Sequence, residues 1–485
     1  MTRKHLPERG QPHTEVLAEL DAMASGDADW RGARTWSLVY HAGDEHARFL
    51  KEAYGRFFSE NGLNPMAFRS LKRLETEVVQ MAAGLMRGGP ATVGLMTAGG
   101  TESILLAMKA YRDRARRRLR LPGRPVVIAP ESVHIAFEKA AAYFDLKLQR
   151  APLRDDFRVD VKAVRRMLSP RCILVVGSAP CYPYGVVDGI EELSALCQTK
   201  GVPLHVDACL GGFLLPFLEQ LGEPIPPWDF RLPGVSSISA DVHKYGYAAK
   251  GASVLLYRDM ELMRHQFFAY TDWCGGVFAS AGLLGTRPGG AYAAAWAAMQ
   301  ALGEDGYLGL HGKALETTRR LMAGIDGIPE LEVLGRPDAT IFAYRSRDPE
   351  VNIYAVGDRL AARGWHVDRQ QHPACLHAMV TQAHAGVVDA YLADLRAAVA
   401  EVKGRPELST QGDAAMYGLV AHVPLRGMVK KNVLKMMEAM YGPEGAPPDL
   451  GAEAGKPGDR LTALALKALP RLEKLSGLLR RLRRR

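Results

Sequence analysis

Four groups of residues in this 485-residue chain have types and spacings that can do chemistry. Thr97-Ala98-Gly99-Gly100-Thr101-Glu102-Ser103 precedes the helical pattern ILLAMKAYRDRARRR. Glycines let a backbone approach an anion without Cβ interference, and a helix start adds free N–H groups, the positive end of the dipole and here the Thr101 hydroxyl. Taken alone, Gly-Gly-Thr before a helix is equally an ordinary loop and N-cap. Ser239-Ala240-Asp241-Val242-His243-Lys244 follows a strand-like apolar run. A lysine at a strand end can be desolvated, which lowers its pKa and makes the amine a nucleophile toward an aldehyde, although most lysines lie on the surface. His205-Val206-Asp207-Ala208 puts a carboxylate at the end of another such run. That acid can hydrogen-bond a pyridinium nitrogen and keep the ring electron-accepting, or it can be a turn residue. His134, in ESVHIAFEKA, can stack on a planar ring or serve structure.

The elements that must hold these residues can be read from periodicity. VVIAP near 126, CILVVGS near 172, PLHVDA near 203, SSISA near 236 and ASVLLY near 252 are short apolar runs that alternate with helical stretches. Alternation of this kind predicts a mostly parallel sheet with helices on both faces, over residues 61–310. Residues 1–60 read as an N-terminal arm with a helix in HARFLKEAYGRFFSENG, the first thirty or so being irregular. In 311–441, ATIFAYR and LHAMVT read as strands and NIYAVGDRLAARG and VVDAYLADLRAAVAEVK as helices, a smaller α+β domain. Residues 442–485 read as a linker rich in Gly and Pro, then a basic tail with Leu472, Leu475, Leu479 and Leu482 on one side. That tail is consistent with a solvated or subunit-packing helix, and also with a membrane-surface helix on anionic lipid.

Composition bounds the rest. With 47% hydrophobic and 24% charged residues the chain is an ordinary globular protein, and no apolar run is long enough to span a bilayer. The start, MTRKHLPERGQPH, lacks the apolar stretch of a secretory signal, and the six cysteines form no close zinc or redox pair. A soluble, cytoplasmic protein without a metal centre is expected. The net charge of +9 favours anionic partners, but no motif reads nucleic acid.

The order cradle, ring-stacking His, strand-end Asp and His-Lys is more specific than any member, and it resembles the group II pyridoxal-phosphate decarboxylase superfamily. AGGTESILLAMKAYRDRA, HVDACLGGFLLPF, SSISADVHKYGYAAKG, TDWCGGVFAS and GTRPGGAYAAAWAAM are, within it, similar to the sphingosine-1-phosphate lyase family, the likeness running from about Tyr40 to Tyr441. The resemblance implies the aspartate-aminotransferase-like fold (fold type I) and pyridoxal 5'-phosphate as cofactor, with Lys244 as its Schiff-base lysine. It makes Asp207 the partner of the ring nitrogen, His134 the stacking residue, and Gly100, Thr101 and His243 the phosphate holders. Gly285 and Thr286 are then donated by a neighbouring subunit, which implies a homodimer with shared sites. Tyr40, Tyr182 and Lys250 fall on the substrate side, Lys250 toward the substrate phosphate. Asn64 stands where the family often has His, and Cys274 where it often has Gln; an amide there cannot change its protonation near neutral pH.

The implied reaction is retro-aldol scission of a phosphorylated sphingoid base to a long-chain aldehyde and phosphoethanolamine. Tyr182, Lys244 and the cofactor phosphate are all candidates for moving protons. Amino-acid decarboxylation with the same cofactor is the alternative, since the cofactor residues do not separate the two.

Overall fold

The computed structural model describes residues 5–118, 123–422, 426–443 and 445, so the basic tail and most of the linker expected before it lie outside the described residues. Seven short strands form the large sheet: β1 (Val93–Thr97), β2 (Val126–Pro130), β3 (Lys147–Ala151), β4 (Cys172–Ser178), β5 (Leu204–Asp207), β6 (Val235–Ala240) and β7 (Ser253–Tyr257). Their order is β1-β7-β6-β5-β4-β2-β3, and only β7 runs antiparallel to its neighbours. Every residue of β2, β4, β5 and β7 is buried, because helices cover both faces and no face is left for alternation with polar residues. Val127, Leu174 and Val176 pack with the helices Gly100–Arg118 and Ala136–Tyr143. Ile128, Val175 and Val206 point the other way, into a core with the helices Arg69–Leu85 and Ile190–Lys200. The period-2 geometry of a strand thus feeds two cores from one sheet.

A short exposed hairpin follows, β8 (Phe268–Tyr270) with β9 (Phe278–Ser280). The helix Gly289–Asp326, broken at Gly303 where φ is 57°, then leads to the second sheet. This sheet is antiparallel throughout, in the order β10 (Leu331–Val333), β11 (Ile341–Ser346), β13 (Cys375–Met379), β12 (Asp368–Gln370). It packs with the helices Ile353–Ala361 and Val388–Val402 around Tyr344, Trp365, Leu376 and Tyr391.

The N-terminal arm belongs to this second core. Trp36 is wholly buried in it, stacked 4.6 Å from His384, and its main chain bonds His366 and Met379. The arm therefore crosses from the small sheet toward the large one between Trp36 and Tyr40. A helix at Asp44–Gly55 matches the expected pattern. The irregular start that was expected instead contains a helix, His13–Ala24. None of its residues is buried, so no packing stripe was there to be recognised; Ala, Leu and Glu carry it by propensity.

Candidate active site

In a parallel sheet the carboxyl ends of the strands open onto one edge, where helix starts also converge. Here that edge carries every expected cofactor residue of the large domain except those assigned to a second subunit. The turn after β1 and the start of the helix Gly100–Arg118 supply Gly99, Gly100 and Thr101; the loop after β2, His134; β5 ends on Asp207; β6 runs out into Asp241, His243 and Lys244. Together with Tyr40, Tyr182 and Lys250 they line one cavity of about 750 Å³.

The cradle is built for close approach. A Cβ on Gly100 would sit 2.7 Å from Cys209 Sγ and 2.9 Å from Asp241 Oδ2, so only glycine fits there without displacement. Glu102 stiffens the loop, accepting from the Ala98 N–H at 2.8 Å and from the Leu283 N–H at 3.2 Å. The second bond ties the cradle to the segment that leads to Gly285. Thr97, Ser103 and Ser253 form a buried hydroxyl chain beneath it, at 2.7 and 3.0 Å.

Asp207 is buried and oriented by the Cys209 N–H and the Ser239 hydroxyl, both of which donate to Oδ1. Its other oxygen is left for a donor in the cavity. His134 accepts from the Ala136 N–H through Nδ1, which fixes its ring at the cavity wall. His243 accepts from the Ala252 N–H at 3.1 Å, and burial lowers its pKa, so the ring is neutral near pH 7.

Lys244 corrects one expectation. Desolvation was expected to lower its pKa, and burial does act in that direction, but the Asp241 carboxylate 3.0 Å away outweighs it and the ammonium is held above its ordinary value. Asp241 Oδ1 is buried without a hydrogen-bond partner. A buried acid that holds the lysine as a cation, and still has an unsatisfied oxygen, marks a site built around a further group. The glycine cradle, the free Asp207 oxygen, the His134 ring and the Lys244 amine fit pyridoxal phosphate in its phosphate, ring nitrogen, ring face and aldehyde respectively.

In the same cavity, Lys250 donates to the Leu38 carbonyl at 2.8 Å and lies 5.2 Å from the centre of the Tyr40 ring. Partial burial and the charge of Lys244 both lower its pKa. Burial raises the Tyr40 phenol far above its usual range, and its hydroxyl meets Met379 Sδ at 3.4 Å. Tyr182 donates to Asp368 Oδ2 at 3.2 Å.

Four expected residues do not reach this cavity within one chain. Asn64 is exposed and caps the main chain at Met66 and Ala67. Thr286 accepts from the Asn61 amide, and a Cβ on Gly285 would meet nothing within 4 Å. Cys274 is exposed between β8 and β9. Sequence reasoning passed over Asp241, Cys209 and Asp368, all of which line the cavity. Asp241, three residues before Lys244 at the same strand end, was the one with a signal. Among the described residues no group of three or more His, Cys, Asp or Glu is placed to hold a metal ion.

The chain matches the pyridoxal-dependent decarboxylase conserved domain over residues 32–345. It is 45% identical to a sphingosine-1-phosphate lyase of Arabidopsis thaliana over 444 residues, which is 90% of this chain and 81% of that protein. Among solved structures it is similar to a sphingosine-1-phosphate lyase of Burkholderia pseudomallei, at 43% identity and a TM-score of 0.79, covering 83% of this chain and 94% of the other. A glutamate decarboxylase of Lactobacillus brevis shares the fold at a TM-score of 0.73 but only 22% identity, covering 83% of this chain and 95% of the other.

Proposed function

We propose, from the premise that this chain belongs to the pyridoxal-dependent decarboxylase family and within it to the sphingosine-1-phosphate lyases, a division of labour among the residues of its cavity. The protein is a pyridoxal-phosphate-dependent lyase that cleaves sphingosine 1-phosphate to a long-chain aldehyde and phosphoethanolamine.

When bound, pyridoxal phosphate supplies the conjugated electron sink for the pair released as the Cα–C3 bond breaks. In our reading Lys244 holds the cofactor through its amine, and Asp241 keeps that amine charged until the cofactor arrives. With the cofactor bound, Asp207 would fix the ring nitrogen's proton, His134 would stack on the ring, and Gly100, Thr101 and His243 would hold the phosphate. Lys250, with Tyr40 beside it, binds the substrate phosphate. Tyr182 takes the proton of the C3 hydroxyl.

The observation that carries the reading is Lys250, a second cation in the same cavity as Lys244. A decarboxylase also needs an anchor for its substrate, but a phosphorylated headgroup needs a cation beyond the one engaged with the cofactor. The test is to add sphingosine 1-phosphate or glutamate to the purified holoenzyme. Long-chain aldehyde from the first and no CO₂ from the second is the expected result; the reverse would make it a decarboxylase of the same family.

We also propose a homodimer with shared sites. Gly285, Thr286 and Asn64 lie off their own chain's cavity, and the hairpin just before Gly285 exposes Phe268, Trp273 and Val277, apolar surface that a partner would cover. A cytoplasmic location suits six cysteines that are all free thiols.

A further inference from the structure

Behind Tyr182 stand two residues from the small sheet, of which Asp368 lines the cavity. Asp368 on β12 and His377 on β13 stand directly opposite each other in an antiparallel pair, so the sheet register fixes their separation. Tyr182 comes from the other sheet, in the loop after β4, and donates its hydroxyl proton to Asp368 Oδ2. His377 is wholly buried and grips the same tyrosine twice. Its ring lies 4.4 Å from the Tyr182 ring, and its Nε2 is 2.8 Å from the Tyr182 main-chain oxygen.

A carbonyl oxygen can only accept, so His377 Nε2 carries a proton. Nδ1 is buried, has no hydrogen-bond partner and faces Asp368 Oδ2 at 3.9 Å. Burial acts against the Asp368 charge, but His377 and the nearby Ser37 hydroxyl keep its pKa below the usual carboxylate value, so Asp368 stands as a carboxylate able to accept a proton.

We propose that Asp368, backed by His377, is a positioning residue that turns the Tyr182 proton away from the cavity and receives it as Tyr182 accepts the proton of the substrate C3 hydroxyl. The inference rests on the proposed role of Tyr182. The C3 O–H bond breaks and its electron pair forms the aldehyde C=O, while the Cα–C3 pair passes to Cα. The hydroxyl proton bonds Tyr182 Oη as the former phenol proton bonds Asp368 Oδ2. Once the aldehyde leaves, the same path runs backward and delivers one proton to Cα, so the relay ends as it began. With its own proton directed at a carboxylate, the Tyr182 oxygen presents a lone pair to the cavity, which is what a hydroxyl donor requires.

The test compares Asp368→Asn, Tyr182→Phe and the double variant as holoenzymes. Asp368→Asn keeps the shape and a hydrogen bond but removes the proton sink. Its kcat should fall on the order of 10- to 100-fold with KM within about twofold, and the double variant should be no slower than Tyr182→Phe alone. A second readout needs no turnover: 3-fluorotyrosine at position 182, followed by 19F NMR during a pH titration. Removing the neighbouring negative charge should let the phenol ionise at a lower pH in Asp368→Asn than in the parent. An active Asp368→Asn beside an inactive Tyr182→Phe would overturn the inference and leave the role of Tyr182 intact. A fully active Tyr182→Phe would remove that role and the relay with it, and an unmoved NMR titration would show that the two groups are not coupled.

Discussion

Lys250 Nζ lies 2.8 Å from the main-chain oxygen of Leu38, so the cation assigned to the substrate phosphate also fastens the N-terminal arm across the cavity. Leu38 has a φ of 73°, a left-handed conformation that a branched residue holds only when its surroundings enforce it. On one side the arm is pinned by Trp36 in the small-sheet core, and on the other by Lys250. On the proposed role of Lys250, substrate recognition and arm position are linked through one ammonium group.

Replacing that group should separate the two roles. In Lys250→Met the stem still packs but the charge is gone, and KM for a phosphorylated sphingoid base should rise about tenfold or more, the scale of losing one charge-assisted contact. Lys250→Arg should recover only part of this, since a planar guanidinium cannot reproduce a point contact to Leu38. Steady-state kinetics with phosphorylated substrate measure both; an unchanged KM in Lys250→Met would remove the residue from the phosphate site.

The pairing of Lys244 with Asp241 makes a pH prediction for cofactor uptake. Asp241 holds the lysine above its ordinary pKa, so the apoprotein presents an ammonium, which is not nucleophilic, over a wide pH range. In Asp241→Asn the amine loses that support and burial lowers its pKa. The rate at which apoprotein takes up pyridoxal phosphate should therefore rise at lower pH in the variant, its midpoint moving to the acid side. Stopped-flow absorbance across a pH series reads the shift, and a midpoint moving to the alkaline side would contradict the pairing.

Much of this site was legible because its residues follow recognisable strand ends. Lys244 after SSISA, Asp207 after PLHV and Gly100 before a long helix each carry a local signal, and β4 and β7 are apolar runs bounded by turn residues. β3, KLQRA, was not legible, since it is an edge strand with four of five positions at least partly exposed and so lacks an apolar pattern. The antiparallel direction of β7 was equally hidden, for direction is set by the loop before it and not by its side chains. Asp368 was invisible for a different reason: it gains meaning only opposite His377 and beside Tyr182, which are 9 and 186 residues away in the chain.

Two buried histidines make stability depend on pH. Burial pushes His311 down to about 3 and His205 down to about 4, against 6.5 for an exposed ring. Their unfolded forms bind protons more readily than the folded ones, so their contribution is full above pH 6.5 and declines as the pH falls toward 4. His311→Phe keeps the ring against Tyr307 and Phe217 but has nothing to protonate. Denaturant unfolding at pH 7 and pH 5 should show a smaller acid loss in the variant than in the parent; equal losses would mean that His311 does not titrate between the two states.

Gly100→Ala tests the cradle. The added Cβ meets Cys209 Sγ at 2.7 Å and Asp241 Oδ2 at 2.9 Å, whereas one on Gly99 meets only His243 Cε1 at 3.5 Å, an ordinary contact. Overpacking on the scale of 1–3 kcal/mol is expected from the first and little from the second. Cofactor affinity, measured by equilibrium reconstitution of apoprotein, should weaken about tenfold or more in Gly100→Ala and stay within about twofold in Gly99→Ala. Equal effects would mean that the phosphate does not sit on Gly100.

The shared site has the most direct test, because lesions on different chains can complement. Lys244→Ala disables the chain that holds the cofactor, and Thr286→Glu sets a negative charge where the partner's cofactor phosphate is expected to lie. Each variant alone should be inactive. If the two residues serve one site from different chains, a mixed dimer has one site carrying both lesions and one carrying neither. Random reassociation of equal amounts makes half the dimers mixed, so activity should recover to about a quarter of the parent value. If each chain serves only its own cavity, every site in the mixture carries one lesion and activity stays at zero. The exposed Trp273 side chain on the intervening loop gives a parallel reading, since its fluorescence should shift to shorter wavelength as subunits associate and bury it.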